Sequence, residues 1–566
     1  AAERAGLKPA TICYPGSLPK TASSLYALGG TGFPGTNPQL QVAASGCFSA
    51  GIEPDKIQNA KPLALRKPSD WPSLPSSLTP VAEAELAIQP SRPSLKSLSL
   101  HLLLARDSAG LPRAILARER HYATRLAECA VGSWSPWAEV EFASIPAFFR
   151  FKLVECSSDG SRVRLYHTQF LNPSDLSDPS DIGGQLFAEI GPLQQYVGHN
   201  TYSNAWADAA TWLEEAEDQL QWMVKAALSL IQKHDRQLVL LKWHFFDHLC
   251  HECMGHFDPL SPWYQPETGP EWEGIFRSAH QIADRALGAL MGEVDADTSL
   301  VVISDHGEHV FTKAVSLNNI LANTGYIRCV ETPSAPLECI GLPMSAAADG
   351  KPLHSRQGVA ADAASHKPPV VDWSRTRAFK PQAMYNNLFL NVRGREPGGI
   401  VNPGPEYEAL RTELIELLRA YRDPQNGRRV FSAVMRREDA AAFGLWGEWA
   451  GDIIFFTEPD YVAEWFELTA DGAEILPIGP GVKPFRGCNA PAYQSHHGSA
   501  FPSADYGLGS ERAIFGLWGP DIRRGYVRPH PIRLVDVTPI MCHLLGIAPP
   551  AHSEGAVPAD VCSAGF

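Results

Sequence analysis

One short stretch of the chain collects many side chains that can bind metal ions. Residues 242–259, KWHFFDHLCHECMGHFDP, contain four His, two Asp, one Glu and two Cys. Carboxylate and imidazole groups together form a ligand set that suits zinc, and also manganese or iron. The spacing of these side chains decides which of them can hold one ion.

Asp247 and His251 are the pair whose spacing suits a shared ion. They lie four residues apart, so a helix that begins just after the preceding apolar run projects both from one face. His248 and His256 fall off that face, and we interpret them as supporting or exposed positions. The sequence therefore favours Asp247 and His251 as ligands.

The two cysteines in this stretch suggest a different kind of metal site. Cys250 and Cys253 have the C-x-x-C spacing of a zinc ribbon, but the chain contains no second C-x-x-C pair. A closed four-cysteine site therefore lacks half of its ligands. We interpret both residues as buried or half-buried thiols on the helix after the strand.

Two more polar clusters follow apolar segments further along the chain. The motif SDHG places Asp305 and His306 side by side, and Gly307 is expected to supply the turn that lets adjacent side chains converge. The motif SHHGS offers His496 and His497, again followed by glycine. From the residues alone, either of the last two histidines can be the ligand.

The elements around the first two clusters predict how they meet. A helical pattern over 204–235 precedes the apolar run QLVLL, and a second over 271–295 precedes TSLVVI. Helices that alternate with continuously apolar strands predict an α/β fold, with a mostly parallel sheet covered by helices on both faces. Ligands bind at the carboxyl ends of such strands, which is where Asp247 and Asp305 stand.

The chain-wide pattern predicts three regions. Residues 1–60 read as an incomplete N-terminal part of the α/β core, and residues 61–180 as a β-rich insertion or cap because short strand-like runs follow one another there. Residues 181–566 read as the metal-binding α/β core, with a loop-rich excursion at about 330–370.

Composition excludes several classes of protein. The chain has 48 Lys and Arg against 62 Asp and Glu, a net charge of −14, which argues against a binder of duplex nucleic acid. No apolar run reaches the roughly 18 residues that span a bilayer. Eleven scattered cysteines need not form disulfides, so the compartment stays open. We expect a soluble protein and favour the cytoplasm; the oligomeric state is unknown.

The order of these motifs resembles the alkaline phosphatase superfamily, and in particular its type I phosphodiesterase/nucleotide pyrophosphatase branch. The resemblance rests on D-x-x-x-H after a strand, then SDHG, then a late His-Gly, and finally the closing helix DVTPIMCHLLG. The segments VDWSRTRAF and LNVRGREPGGIV also look like this branch, as does CYPGSLP…GGTGFPG near the start. The resemblance covers most of the chain from about Trp206.

The resemblance implies two divalent ions, with zinc favoured over manganese or iron. Asp247, His251 and His497 match the ligands of one ion, and Asp305 and His306 match two ligands of the other. The family also uses an aspartate from a first strand and a Ser/Thr nucleophile. Neither has a counterpart in this sequence, so the nucleophile is unknown and we expect both residues upstream.

The implied activity is metal-dependent hydrolysis of a small phosphorylated substrate, with a phosphodiester or nucleotide-type ester as the leading candidate. One ion binds the nucleophile and lowers its pKa, and the other binds the leaving oxygen. Phosphoryl transfer depends mainly on such positioning and charge neutralisation. Phosphomonoesterase, sulfatase-like and phosphomutase activities stay open because similar ligands serve them all. A non-catalytic, metal-bound pseudoenzyme is the alternative from another class.

Overall fold

The structure, a computed structural model, describes residues 1–20, 22–30, 36–330, 370–381, 386–463, 468, 471–480 and 493–562. The expected loop-rich excursion at about 330–370 lies almost wholly outside these residues, as do residues 31–35 of the Gly-rich segment.

Nine α-helices lie in the described part of the chain. They are α1 (Ser180–Ile190), α2 (His199–Ser203), α3 (Ala209–Gln232), α4 (Phe245–Phe257), α5 (Gly269–Glu293), α6 (Leu317–Asn323), α7 (Pro405–Ala420), α8 (Arg437–Ala440) and α9 (Val537–Leu544). The two long helices predicted on either side of residue 247 are confirmed as α3 and α5. The helix predicted directly after the QLVLL strand is confirmed as α4.

Fifteen short strands precede α1 among the described residues. They are β1 (Pro9–Ile12), β2 (Tyr26–Leu28), β3 (Gln41–Ala43), β4 (Gly46–Ala50), β5 (Lys61–Pro62), β6 (Thr79–Ile88), β7 (Leu98–Arg106), β8 (Pro112–Ala117), β9 (Arg125–Ala130), β10 (Ala138–Phe142), β11 (Ile145–Phe149), β12 (Phe151–Cys156), β13 (Val163–His167), β14 (Phe170–Leu171) and β15 (Ser177–Asp178).

Fourteen more strands follow among the helices of the described chain. They are β16 (Leu238–Leu241), β17 (Leu300–Ile303), β18 (His309–Val310), β19 (Lys313–Val315), β20 (Ala378–Phe379), β21 (Asn387–Leu390), β22 (Phe431–Arg436), β23 (Ile453–Thr457), β24 (Tyr461–Val462), β25 (Ile475–Pro477), β26 (Ser495–His496), β27 (Asp505–Tyr506), β28 (Gly509–Ser510) and β29 (Phe515–Trp518).

The chain divides into two compact units. Unit 1 comprises Ala1–Leu249, Arg277–Val301 and Leu517–Phe566, and unit 2 comprises Cys250–Phe276 and Val302–Gly516. One division falls inside α4, which is nevertheless a single continuous helix. The predicted boundaries at 60/61 and 180/181 stay predictions.

Unit 1 contains a small sheet around β1. Its strand order is β15-β2-β1-β16, and β1 pairs in parallel with both β2 and β16. Helices α1 and α3 pack against this sheet, and Ile12 and Leu28 share one buried cluster with Leu186, Met223 and Leu230. Helix α3 begins at a capped end, because the Asp208 carboxylate accepts a hydrogen bond from the Thr211 amide.

The β-rich part of unit 1 forms three four-stranded sheets. Their strand orders are β6-β7-β8-β9, β10-β11-β14-β3 and β12-β13-β4-β5. The first sheet is antiparallel throughout. The other two sheets include β3 and β4, which lie earlier in the chain than the predicted insertion. Their inward side chains form one large apolar cluster that includes Leu102, Leu116, Phe149 and Phe170.

Unit 2 has its core around the antiparallel sheet β20-β21-β23-β22. Helix α7 supplies Leu410, Leu414 and Leu418 to the same buried cluster. The buried Asp452 carboxylate accepts two hydrogen bonds from Arg395, each at 2.7 Å. The family-like segment LNVRGREPGG is therefore tied to the start of β23.

The predicted mixed α/β class is confirmed, and its arrangement as a mostly parallel sheet with helices on both faces stays a prediction. The described strands form several small sheets of two to four strands. Strand β17, which the sequence predicts as an apolar strand of a sheet covered on both faces, has Val302 and Ile303 40% and 44% exposed. This strand lies in a two-stranded sheet with β29.

The described helices do not meet the requirements of a membrane span. Within the described ranges, none combines the length and the apolar character that crossing a membrane demands.

Candidate metal centre

Helix α4 and the SHHGS motif supply the residues of the candidate metal centre. Because α4 starts at Phe245, Asp247 lies in its first turn and His251 lies one turn further on the same face. The ligand atoms of Asp247, His251 and His497 all lie within 4.8 Å of one another. The structure thus brings together three of the five residues expected from the sequence.

A short strand pair brings the two later motifs to each other. Strand β18 follows SDHG and pairs antiparallel with β26, with His309 opposite His496 and Val310 opposite Ser495. As a result, the His306 and His497 rings stack with centroids 3.6 Å apart and planes within 15°. The His251 and His497 ring centroids are 5.7 Å apart. All three expected imidazoles therefore lie side by side.

The orientation of His251 is fixed by acceptors on one side of its ring. Its Nδ1 atom lies 2.7 Å from a carboxylate oxygen of Glu308 and 2.8 Å from the Ser495 carbonyl oxygen. An Nδ1–H that donates there makes Nε2 the nitrogen that can bind a metal, and the carboxylate raises the basicity of the ring. This is how metal-binding histidines are commonly held.

Glu308 belongs to a buried hydrogen-bond network that includes His251 and Ser495. Its carboxylate lies 2.7 Å from the Ser495 hydroxyl, which is also 2.7 Å from the Cys250 carbonyl oxygen of α4. The candidate ligands named from the sequence do not include Glu308. Its position directly after SDHG was the available signal, because that turn was already expected to face the ions.

Glu511 is a second residue that the sequence did not point to. It accepts hydrogen bonds at 3.0 Å from the Gly498 amide and lies 3.2 Å from His309 Nε2. It thereby holds the backbone directly after His497. No motif surrounds Glu511 in the sequence, so only the fold reveals this contact.

Asp305 and His306 form a looser pair than Asp247 and His251. Asp305 Oδ1 lies 3.7 Å from His306 Nε2, and the Asp305 side chain is 61% exposed. Among the described residues, neither of the two groups of three potential ligands includes Asp305 or His306. The pair reaches the centre only through the stacking of His306 on His497.

The reason for glycine at 307 differs from the expected one. Gly307 does not have a positive φ; instead, a Cβ atom there would lie 2.1 Å from the Ser510 carbonyl oxygen and 2.4 Å from that of Arg512. Close approach of the 510–512 backbone therefore requires the glycine. Gly498 does adopt the left-handed conformation, with φ of +84°.

The other candidates in the 242–259 stretch have separate positions. His256 stacks on Trp272 at 3.8 Å, and its Nε2 accepts a hydrogen bond from the Gln494 amide, so it is a packing residue. Neither Cys250 nor Cys253 belongs to a group of three potential ligands in the described chain. His248, for which the sequence left a supporting or an exposed position open, is buried.

The donor set fits a divalent transition metal. One carboxylate and two imidazoles are typical zinc ligands, and the acceptors on His251 Nδ1 provide the outer-sphere support that such sites need. Geometry also distinguishes His496 from His497 as the candidate ligand. His496 Nδ1 accepts a hydrogen bond from the His497 amide at 2.7 Å. His497, and not His496, lies in the group with Asp247 and His251.

Comparison with known proteins identifies the family to which the chain is related. Residues 167–463 match the family described as type I phosphodiesterase / nucleotide pyrophosphatase, a range that includes Asp247, His251, Asp305 and His306. Neither the curated proteins nor the solved structures gave a match. The family match covers just over half of the 566 residues. The chain belongs to the type I phosphodiesterase/nucleotide pyrophosphatase family of the alkaline phosphatase superfamily.

Proposed function

We propose that this protein uses divalent metal ions, zinc first and manganese or iron as alternatives, to hydrolyse small phosphodiester or nucleotide-type substrates. The observation that carries the proposal is the convergence of Asp247, His251 and His497 within 4.8 Å, with His306 stacked on His497. Family membership supports phosphoester hydrolysis as the reaction class.

The chain's own residues hold the charge and the geometry of the centre. Asp247, His251 and His497 are proposed to hold one ion, and Asp305 and His306 to contribute to a second. Bound ions would neutralise phosphate charge and lower the pKa of an attacking oxygen. Glu308 keeps His251 in the orientation that presents Nε2, and Glu511 supports the turn after His497. Local ions also explain how a chain of net charge −14 can accept an anionic substrate.

We also infer an alkaline phosphatase-like core with helices on both faces of a parallel sheet. The parallel pairing of β1 with β2 and β16 supports this, together with the packing of α3 against these strands. In such a core the start of α4 lies at a strand's carboxyl end, where the fold commonly binds ligands.

The test is hydrolysis by the full-length protein, stripped of metal and reloaded with zinc or manganese. Bis(p-nitrophenyl) phosphate, p-nitrophenyl phosphate and p-nitrophenyl sulfate separate diesterase, monoesterase and sulfatase activities. We expect the diester to react fastest and chelation to abolish turnover. The His497→Gln variant should lose one metal equivalent and at least about 100-fold in rate, because it removes a direct ligand. The exposed His530→Gln is the control. Equal metal content in His497→Gln and the unaltered protein would contradict the assignment.

One observation favours a second candidate, a metal-bound protein without turnover. The Asp305 side chain is 61% exposed, and neither group of three potential ligands among the described residues includes it. A protein of this kind would bind zinc through Asp247, His251 and His497 and would retain phosphorylated ligands without cleaving them. Metal content dependent on His497, with no hydrolysis of any of the three esters, would support it.

A further inference from the structure

A second group of metal ligands lies at the start of α4. The ligand atoms of His244, Asp247 and His248 are all within 4.8 Å of one another. His244 Nε2 and Asp247 Oδ2 are already 3.2 Å apart. Two ligands bound to one tetrahedral zinc at ~2.1 Å lie roughly 3.4 Å from each other, so this pair needs little adjustment.

Local helix geometry explains the grouping. His244 directly precedes the first residue of α4, and Asp247 and His248 follow it by three and four positions. Side chains with these separations share one face of a helix. The His244 and His248 rings meet edge-to-face with centroids 4.8 Å apart. The arrangement therefore depends on local backbone and not on distant segments of the chain.

The surroundings of the group are apolar but leave it accessible. Trp243 stacks on Phe245, and the Tyr196 ring meets His248 edge-to-face at 5.4 Å. The side chains of His244 and Asp247 are 13% and 18% exposed, while His248 is buried. Low local polarity strengthens the attraction between a carboxylate and a cation. The partial exposure of His244 and Asp247 leaves the group open to a small ion.

The charges near the group have opposing effects on the binding of a cation. The N-terminal end of α4 carries positive partial charge, which opposes a cation. The Asp247 carboxylate opposes that effect, and two neutral imidazoles can coordinate a metal without adding charge of their own.

We propose that His244, Asp247 and His248 bind a divalent transition-metal ion of the zinc class. This position goes beyond the proposed function, which uses only Asp247 and His251 on α4. It is distinct from the ion assigned to Asp247, His251 and His497, and the two positions share the Asp247 carboxylate. A two-nitrogen, one-oxygen ligand set favours zinc, and other imidazole-binding metals, over calcium or magnesium.

Metal content separates the two positions. Protein stripped of metal is reloaded with Zn²⁺ and desalted, and bound metal per chain is measured. We expect His244→Gln/His248→Gln to lose one equivalent, His251→Gln/His497→Gln to lose a different one, and Asp247→Asn to lose both. His280→Gln, an exposed histidine on α5, is the matched control. Zn²⁺ content in His244→Gln/His248→Gln equal to that of the control would overturn the proposal and would leave the His251/His497 assignment intact.

A second variant, with a spectroscopic readout, distinguishes the loss of a metal ligand from the loss of folding. His244→Cys replaces an imidazole with a thiolate, which also binds Zn²⁺ and Co²⁺. With Co²⁺ bound, we expect a thiolate-to-cobalt charge-transfer band that the unaltered protein lacks. A cobalt-loaded His244→Cys protein without this band would contradict ligation at position 244. Circular dichroism of the metal-free variants checks that α4 and the rest of the fold persist.

Discussion

At the scale of single residues, the candidate centre depends on groups that do not themselves touch an ion. His251 is held by Glu308 and by the Ser495 carbonyl oxygen, both of which lie in other segments of the chain. The Gly498 amide is held by Glu511. Such supporting contacts set ring orientation and ligand basicity. Glu308 is therefore a positioning residue in our interpretation.

We expect Glu308→Gln to weaken zinc binding about 10- to 100-fold while preserving the fold, because the amide keeps the shape but removes the charge behind His251. Competition with a chromogenic chelator measures the zinc affinity. Glu458→Gln, which removes a carboxylate paired with Arg429, is the control. A zinc affinity for Glu308→Gln equal to that of the control would rule out the positioning role.

At the scale of elements, α3 carries a buried carboxyl group into its contact with the β-rich part of unit 1. Glu215 of α3 accepts a hydrogen bond at 2.8 Å from the hydroxyl of the buried Tyr166 on β13. Burial raises the pKa of Glu215 to about 7, although Tyr166 and the Arg150 charge oppose the shift. The packing of a helix on a sheet is thus coupled to pH.

A group with a raised pKa stabilises the fold at low pH. The contribution of Glu215 is fully present below its ordinary pKa of 4.5 and is lost as pH rises through about 7. We expect the unaltered protein to lose on the order of 3 kcal/mol relative to Glu215→Gln between pH 4.5 and pH 8. Thermal unfolding of both proteins across this range measures the difference. Parallel pH profiles for the two proteins would refute the assignment.

At the scale of the whole molecule, each unit has its own apolar cluster. The described cysteines form no disulfide that would cross-link either unit. The nine cysteines that the structure describes are free thiols, and Cys339 and Cys488 lie outside the described residues. Burial raises the pKa of Cys13 and of Cys47 to about 12, which keeps both thiols protonated and unreactive. Apolar burial, rather than cross-linking, is therefore expected to stabilise the described parts of both units.

We expect alkylation of the denatured, unreduced protein to label all nine described cysteines. Peptide mapping by mass spectrometry identifies the labelled positions, and a reduced sample provides the control. A disulfide typically contributes about 2–4 kcal/mol, so one among these nine would also lower the unfolding temperature on reduction. Protection of any pair of them in the unreduced sample would contradict the prediction.

The sequence by itself determined the features that depend on local spacing. The helix that carries Asp247 and His251 follows from an apolar run and an i, i+4 pair, and the order of motifs identified the family. The mixed α/β class follows from hydrophobic periodicity in the same way. These features could be predicted because neighbours in the chain decide them.

Tertiary structure alone decided how distant segments meet. The antiparallel pairing of β18 with β26 stacks His306 on His497 and places Glu308 against Ser495, 187 positions further along the chain. It also decided that Gly307 serves close backbone approach. Pairing register between distant strands depends on side-chain packing and long-range hydrogen bonds, and no local spacing encodes it. For that reason the sequence indicated candidate ligands for this centre but not the contacts that hold them.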